Sequence, residues 1–282
     1  MRENAWKTYD SETMKKVFEL SEGYKKFISD CKTERECVIE SIAMAKAKGY
    51  RDLEEVIANG ETLKAGDKVY ANNMGKTVAF FLIGKQPLEN GMNILGAHVD
   101  SPRLDIKQNP LYEDNELALL DTHYYGGIKK YQWVTLPLAL HGVFAKKDGT
   151  VVNVNIGEDD NDPVVGISDL LVHLSADQLS KKANVVIEGE DLNVTVGSIP
   201  VEGEEKDAVK AGVLDILKET YDIHEEDFVS AELEIVPAGK ARDYGLDRSM
   251  VMGYGHDDRI CAYTSLVALL EMEETEKTSV CL

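Results

Sequence analysis

The hydrophobic pattern of the chain changes its period along the sequence, and this change limits the folds that are open to it. Over roughly the first sixty residues the apolar positions recur at three- and four-residue spacings, which predicts helices. Thr33, with Glu36 three residues later, predicts a capping box at the start of a second helix. Short apolar segments between turns rich in Gly and Asn then predict strands at residues 68–71, 77–83 and 92–97. The sequence therefore predicts an α/β fold with a mixed sheet.

Residues 112–245 show a different pattern, because short alternating stretches predominate there. They predict strands at residues 133–144, 151–156, 184–187 and 231–236, and helices at residues 167–174 and 207–220. We interpret this block as a second, β-rich domain. Its acidic turns lack the regular oxygen spacing of a calcium-binding loop, so we expect solvated loop tips at residues 158–162 and 202–205.

The final segment returns to a helix followed by a strand. Apolar residues at helical spacing predict a helix that begins close to Asp257 and Asp258 and buries one face. Residues 277–282 are typical of the first half of a buried strand.

Charge and hydropathy exclude several classes of partner. The chain has 31 Lys and Arg against 51 Asp and Glu, a formal net charge of -20, which argues against nucleic-acid binding because such affinity needs clustered cations. The longest apolar run, residues 133–145, is interrupted by Pro137 and His141 and is too short to span a bilayer. We expect neither a nucleic-acid partner nor a membrane role.

The four cysteines predict a reducing compartment. Cys31, Cys37, Cys261 and Cys281 have spacings that match neither a paired zinc motif nor a dense disulfide framework. The chain start also lacks the pattern of a secretory signal. A cytoplasmic protein with reduced thiols is the expectation.

The first chemistry-bearing cluster is His98 and Asp100, at the end of a predicted strand. With a strand period of two, both side chains can leave on one face, where the carboxylate can accept the far ring N–H of a metal-bound imidazole. Alternatively, His98 is a surface histidine and Asp100 part of a turn before Pro102.

The second cluster is Asp257 and Asp258, just before the last predicted helix. Taken alone, such a pair caps free N–H groups and complements the helix dipole. A strand-end His-x-Asp together with a later Asp-Asp, separated by a large block, is however what one dinuclear metal site would need.

Four segments together carry a resemblance to a known family. Residues 96–103, 121–128, 167–174 and 236–259 resemble, in order, the aspartyl aminopeptidase family of dinuclear zinc exopeptidases. The resemblance implies a zinc-exopeptidase-like catalytic domain, a mixed sheet with flanking helices, interrupted by an inserted β-rich domain used for dimer contacts and lid formation. We therefore expect catalytic segments at residues 1–111 and 246–282 around an insertion at residues 112–245.

The resemblance also implies roles for five residues. His98 would ligate one zinc ion, and Asp257 would bridge two. Asp100 would act in catalysis by orienting His98, and Asp258 would follow Asp257 across a peptide bond that related enzymes often hold cis. His173 would reach a substrate pocket, whereas the pattern around it alone indicates a histidine packed on a helix face.

The implied activity is zinc-dependent removal of N-terminal residues, Asp or Glu above all, from peptides. Two zinc ions are expected per complete site, with cobalt or manganese as alternatives, in dimers that build a dodecamer.

The same resemblance implies that the chain is an amino-terminal fragment. The family's Glu-Glu pair, a later Asp and a later His have no counterpart here, since Glu273 and Glu274 lie at a helix terminus rather than after a strand. We therefore expect an unpaired sheet edge beside residues 278–282, with a tendency to aggregate. The alternative is a catalytically inactive chain that acts as an assembly or regulatory partner of a full-length subunit.

Overall fold

The computed structural model describes residues 3–282, which form two compact units. The first unit comprises the residues up to Ser101 together with Lys240–Leu282, and the second comprises Pro102–Gly239. The second unit was predicted at residues 112–245, so both of its observed borders lie earlier in the chain than the predicted ones. A strand that pairs within the second unit already begins at Arg103, which explains the first difference.

The regular elements are as follows, in chain order. The α-helices are α1 (Ser11–Asp30), α2 (Glu34–Ala47), α3 (Leu53–Ala58), α4 (Ala176–Leu179), α5 (Ala208–Tyr221) and α6 (His256–Leu270). The strands are β1 (Arg51–Asp52), β2 (Lys68–Asn73), β3 (Thr77–Leu82), β4 (Asn93–Leu95), β5 (Arg103–Asp114), β6 (Leu117–Tyr125), β7 (Leu138–Ala145), β8 (Val151–Ile156), β9 (Val194–Gly197), β10 (Ala231–Pro237), β11 (Arg242–Tyr244), β12 (Met250–Met252) and β13 (Ser279–Cys281). Short 3-10 helices lie at Ala5–Lys7, Leu88–Asn90, Lys130–Gln132, Val172–Leu174, Gly189–Asp191 and Glu225–Ser230. Within residues 3–282, no helix combines the length and the apolar character that crossing a bilayer requires.

The two long helices at the start of the first unit begin at side-chain caps. The carboxylate of Asp10 accepts the amide hydrogen of Thr13 at 2.7 Å, ahead of α1. Thr33 and Glu36 form the predicted capping box of α2, each side chain accepting from the other residue's backbone. Because free amide groups at a helix start are thereby satisfied, both helices begin at these caps, and the predicted start of α2 is confirmed.

The sheet of the first unit has five strands in the order β1-β2-β3-β13-β4. Strand β13 pairs antiparallel with β3 and parallel with β4, and its three residues are all buried. The prediction of a buried strand here is confirmed, but the expected unpaired edge beside residues 278–282 is wrong. The edge lies at β4, whose residues are all exposed, because β13 inserts between β3 and β4.

Helix α6 is fixed to this unit through its apolar face. Leu266 and Leu269 pack in one core cluster with Phe80 of β3, and Tyr263 packs in a second cluster with Phe27 of α1. Because α6 packs against β3 and α1 along most of its length, the residues at its start are held in place within this unit.

The second unit is built on a six-stranded antiparallel sheet in the order β8-β7-β10-β5-β6-β9. Helix α5 packs against β6 and β9, and its Val209 joins the core with Leu120 of β6 and Ile235 of β10. The β-rich character, the strand at residues 151–156 and the helix near 207–220 are confirmed.

Two predicted elements of the second unit are wrong. The regular structure within residues 167–174 is limited to the 3-10 turn Val172–Leu174. Ile167 is buried in the core of this unit, but Leu171, Val172 and Leu174 are exposed, so the run has no buried helical face. Residues 184–187 form turns rather than a strand. The hairpin of β5 and β6 was not predicted, because charged residues interrupt its alternation.

Candidate metal centre

The loop that follows β4 carries the first candidate residues. The strand ends at Leu95, so His98 and Asp100 lie in irregular backbone and not on a strand. Their side chains nevertheless meet, since Nδ1 of His98 lies 3.1 Å from Oδ1 of Asp100 and 3.1 Å from its carbonyl oxygen. The expected pairing of the imidazole with the carboxylate is thus formed by a turn.

The start of α6 carries the other two aspartates. Asp257 and Asp258 have non-helical backbone angles, and the peptide bond between them is cis, as the resemblance implies. The side chain of Asp257 is 93% exposed and brings Oδ1 to 3.2 Å from Nε2 of His98. Residues separated by more than a hundred and fifty positions therefore meet at one imidazole.

Both ring nitrogens of His98 face oxygen acceptors. The neighbours of Nδ1 are the carbonyl and the carboxylate of Asp100, so Nδ1–H can donate to Asp100, while Nε2 faces the carboxylate of Asp257. With a metal bound, the proton would stay on Nδ1 and Nε2 would supply its lone pair. Burial lowers the pKa of His98, but the carbonyl and the carboxylate of Asp100 outweigh it, and the net pKa lies above its ordinary value.

The distance between Nε2 of His98 and Oδ1 of Asp257 suits two ligands of one metal ion. Two ligands bound at about 2.0–2.2 Å to one tetrahedral zinc ion lie about 3.3 Å apart. The observed distance between Nε2 and Oδ1 is 3.2 Å, and the ligand types, imidazole and carboxylate, are ones that zinc accepts. The residues present therefore fit a zinc ion.

A buried serine holds the two segments together. The hydroxyl of Ser101 donates a 3.0 Å hydrogen bond to the main-chain carbonyl of Asp257, and Ser101 is almost fully buried. Sequence reasoning missed this residue, because its partner is a main-chain atom on a distant segment.

The remaining predicted residues are placed differently. Asp258 is half-buried and interacts with the thiol of Cys261 as well as, more remotely, with the charge on His98. His173 lies in the second unit, exposed in the 3-10 turn, so the alternative of a packed helix-face histidine is wrong. Glu273 and Glu274 follow α6 and form surface ion pairs with lysines, as expected of a solvated helix terminus.

Two side-chain donors are brought together at this centre. Within residues 3–282, no third His, Cys, Asp or Glu places a ligand atom within 4.8 Å of both Nε2 of His98 and the carboxylate of Asp257. Catalytic zinc ions usually have three protein ligands and a water.

Comparison with known proteins gives an independent result. Residues 27–282 match the model of a family described as aminopeptidase I zinc metalloprotease (M18). A probable M18 family aminopeptidase 1 of Clostridium acetobutylicum is 69% identical over 278 residues, which are 98% of this chain and 60% of that protein.

Solved structures agree with the fold. An M18 family aminopeptidase from Thermotoga maritima superimposes with a TM-score of 0.93 at 46% identity, over 100% of this chain and 60% of that one. A dodecamer of mApe1 from S. cerevisiae shares the fold, with a TM-score of 0.69 at 17% identity over 93% of this chain and 59% of that one. The chain thus spans about 60% of the length of the curated relatives it matches.

Proposed function

Because the chain belongs to the aminopeptidase I zinc metalloprotease family (M18), we propose that it contributes His98 and Asp257 to the zinc centre of an enzyme that removes N-terminal residues from peptides. The observation that carries this proposal is the 3.2 Å approach of Nε2 of His98 to the carboxylate of Asp257.

The residues of this chain have separate tasks in the proposed site. His98 would hold zinc through Nε2, and Asp100 would accept the hydrogen on Nδ1 so that the lone pair of Nε2 is left for the metal. Asp257 has two carboxylate oxygens on an exposed side chain and would also hold zinc; the resemblance to the family implies that both ions would share it. When bound, zinc supplies a Lewis acid that polarises the peptide carbonyl and lowers the pKa of a water.

The other ligands and the general base are not assigned to residues of this chain. The resemblance to the family implies a Glu-Glu pair, an Asp and a His for these roles. We therefore propose that the complete site needs more ligands than the two found here.

Substrate, assembly and location are further parts of the proposal. We propose peptides with an acidic N-terminal residue as substrates, with His173 contacting them. The mApe1 dodecamer supports assembly into a homo-oligomer. From the resemblance to the family we propose that the β-rich second unit makes the dimer contacts. The four free cysteines support a cytoplasmic location, and cobalt or manganese are the alternative metals.

The test uses the intact gene product. Zinc content is measured after purification, and hydrolysis of aminoacyl p-nitroanilides with acidic, neutral and basic residues is followed. We expect zinc in the protein, release of acidic residues above all, and loss of both zinc and activity in His98→Ala and Asp257→Asn. The control is Asp30→Asn, which removes only a surface ion pair with Lys26.

Two results would contradict the proposal. One is a protein that binds no zinc, and the other is an Asp257→Asn variant with unchanged metal content. Either result, combined with co-purification of a full-length subunit, would favour the role of assembly partner.

A further inference from the structure

Arg259 is a fully buried charged side chain next to the proposed centre. It follows Asp257 by two residues on α6, and its exposed fraction is 0%. Burying a guanidinium is costly unless its N–H groups are hydrogen-bonded, so the partners of this side chain indicate what holds it there.

The guanidinium binds three main-chain carbonyls from two other segments. Its Nε donates to Val99 at 2.8 Å, and its two terminal nitrogens donate to Cys31 at 3.1 Å and Lys32 at 2.7 Å. Val99 is the residue after His98, while Cys31 and Lys32 form the connection between α1 and α2. One side chain therefore ties the loop that carries His98 (residues 96–101, the His98 loop) to the start of α6 and to the connection between α1 and α2.

Gly255 leaves room for this side chain. Its φ is +87°, and a Cβ at this position would lie 3.0 Å from Cζ of Arg259 and 3.2 Å from Oγ of Ser101. The ring centroid of Tyr254 lies 5.4 Å from Cζ of Arg259. The guanidinium is thus confined by close packing as well as by its hydrogen bonds.

We propose that Arg259 is a positioning residue that sets the separation of His98 from Asp257. The inference concerns the metal-free chain, and only its catalytic consequence rests on the proposed function. A lysine cannot replace the arginine, because three carbonyls in different directions match a planar fork and not a single ammonium group. Arg259→Lys therefore removes the planar set of N–H donors and frees the His98 loop, but it keeps the positive charge and most of the side-chain volume.

The experiment compares two variants with two matched controls. Arg259→Lys removes the fork, and Gly255→Ala keeps the arginine but displaces it. Arg51→Lys alters an arginine that binds only Glu61 at the surface. Gly49→Ala alters a glycine of similar φ, +85°, with open space around it.

The first measurement is amide hydrogen exchange of residues 98–101 in the metal-free protein. The second is the affinity for zinc and the visible spectrum of bound cobalt in the intact gene product. We expect exchange at least about tenfold faster and zinc affinity about 10- to 100-fold weaker in both test variants. The cobalt spectrum should change, kcat should fall with little change in KM, and both controls should match the unaltered protein.

Each outcome decides the inference. A folded Arg259→Lys variant with unchanged exchange and zinc affinity would overturn it. If Arg259→Lys does not fold, Gly255→Ala decides by the same two measurements, judged against Gly49→Ala. If the unaltered protein binds no zinc, the proposed function fails, and amide exchange alone still decides whether Arg259 holds the His98 loop.

Discussion

The hydroxyl of Ser101 donates its hydrogen to the main-chain carbonyl of Asp257, 3.0 Å away. Ser101 belongs to the segment that carries His98, and Asp257 lies in the first turn of α6 on the other side of the centre. The bond therefore joins the two halves of the proposed site through an atom that no substitution of Asp257 can remove.

Ser101→Ala should weaken both the fold and the metal site. The main-chain carbonyl of Asp257 would lose this donor, which should lower the free energy of unfolding by about 1 kcal/mol. We expect a several-fold loss of zinc affinity as well, because Asp257 would be held less firmly. Denaturant unfolding and a zinc competition titration measure the two effects, and unchanged values for both would show that the bond contributes little.

Asp100→Asn should lower both the pKa of His98 and its affinity for zinc. Burial lowers that pKa and the Asp100 carbonyl and carboxylate raise it, so removing the negative charge shifts the pKa downwards. The loss of an oriented, more basic imidazole should weaken zinc binding by about 10- to 100-fold. NMR titration of the His98 ring follows the pKa, with Asp30→Asn as the surface control; an identical titration curve in Asp100→Asn would count against the pairing.

Tyr50→Phe should stabilise the protein. The Tyr50 hydroxyl is buried without a hydrogen-bond partner, so removing it should raise the free energy of unfolding by about 1 kcal/mol at neutral pH. Thermal or denaturant unfolding measures this, and Tyr244→Phe, which alters an exposed tyrosine, is the control.

The same variant should be less sensitive to alkali. Burial raises the pKa of Tyr50 to about 12, above its ordinary value of 10.0, so the unfolded chain loses this proton first. Stability should therefore fall as pH rises from 10 towards 12, and less steeply in Tyr50→Phe. If the free energy of unfolding fell equally steeply with pH in the unaltered protein and in Tyr50→Phe, the Tyr50 hydroxyl would not be buried and unpaired.

Cys261 should be the cysteine that alkylating reagents reach in the folded protein. The other three cysteines are buried, whereas Cys261 is exposed. A hydrogen bond with Asp258 and the negative charges of Asp258 and Asp257 raise the pKa of Cys261, so alkylation should be slower than for a free thiol and accelerate as pH rises. Mass spectrometry after iodoacetamide treatment should find one modified site, none in Cys261→Ser, and four after unfolding; early labelling of Cys281 would contradict the buried strand.

Local signals predicted much of the fold. The capping box of Thr33 and Glu36 and the strand at Val151–Ile156 depend on neighbouring residues, so sequence was sufficient for both. The 3-10 turn at Val172–Leu174 was predicted as part of a helix, because an apolar run indicates burial even where the side chains stay exposed.

The site could be predicted only in part. His98 and Asp257 were named from motif order, and the structure brings them together. The roles of Ser101 and Arg259 could not be foreseen, because both side chains bind main-chain carbonyls of distant segments. No pattern of residue types records such a contact.

The place of β13 between β3 and β4 has a consequence for synthesis on the ribosome. The hydrogen bond from the amide of Gly84 to the hydroxyl of Thr278 spans 194 residues. Because the ribosome adds about 5–20 residues per second, β13 is made about 10–40 s after β3 and β4, the strands that it joins. The whole of the second unit is made in that interval, so it can fold while strand edges of the first unit are still unpaired and open to intermolecular pairing.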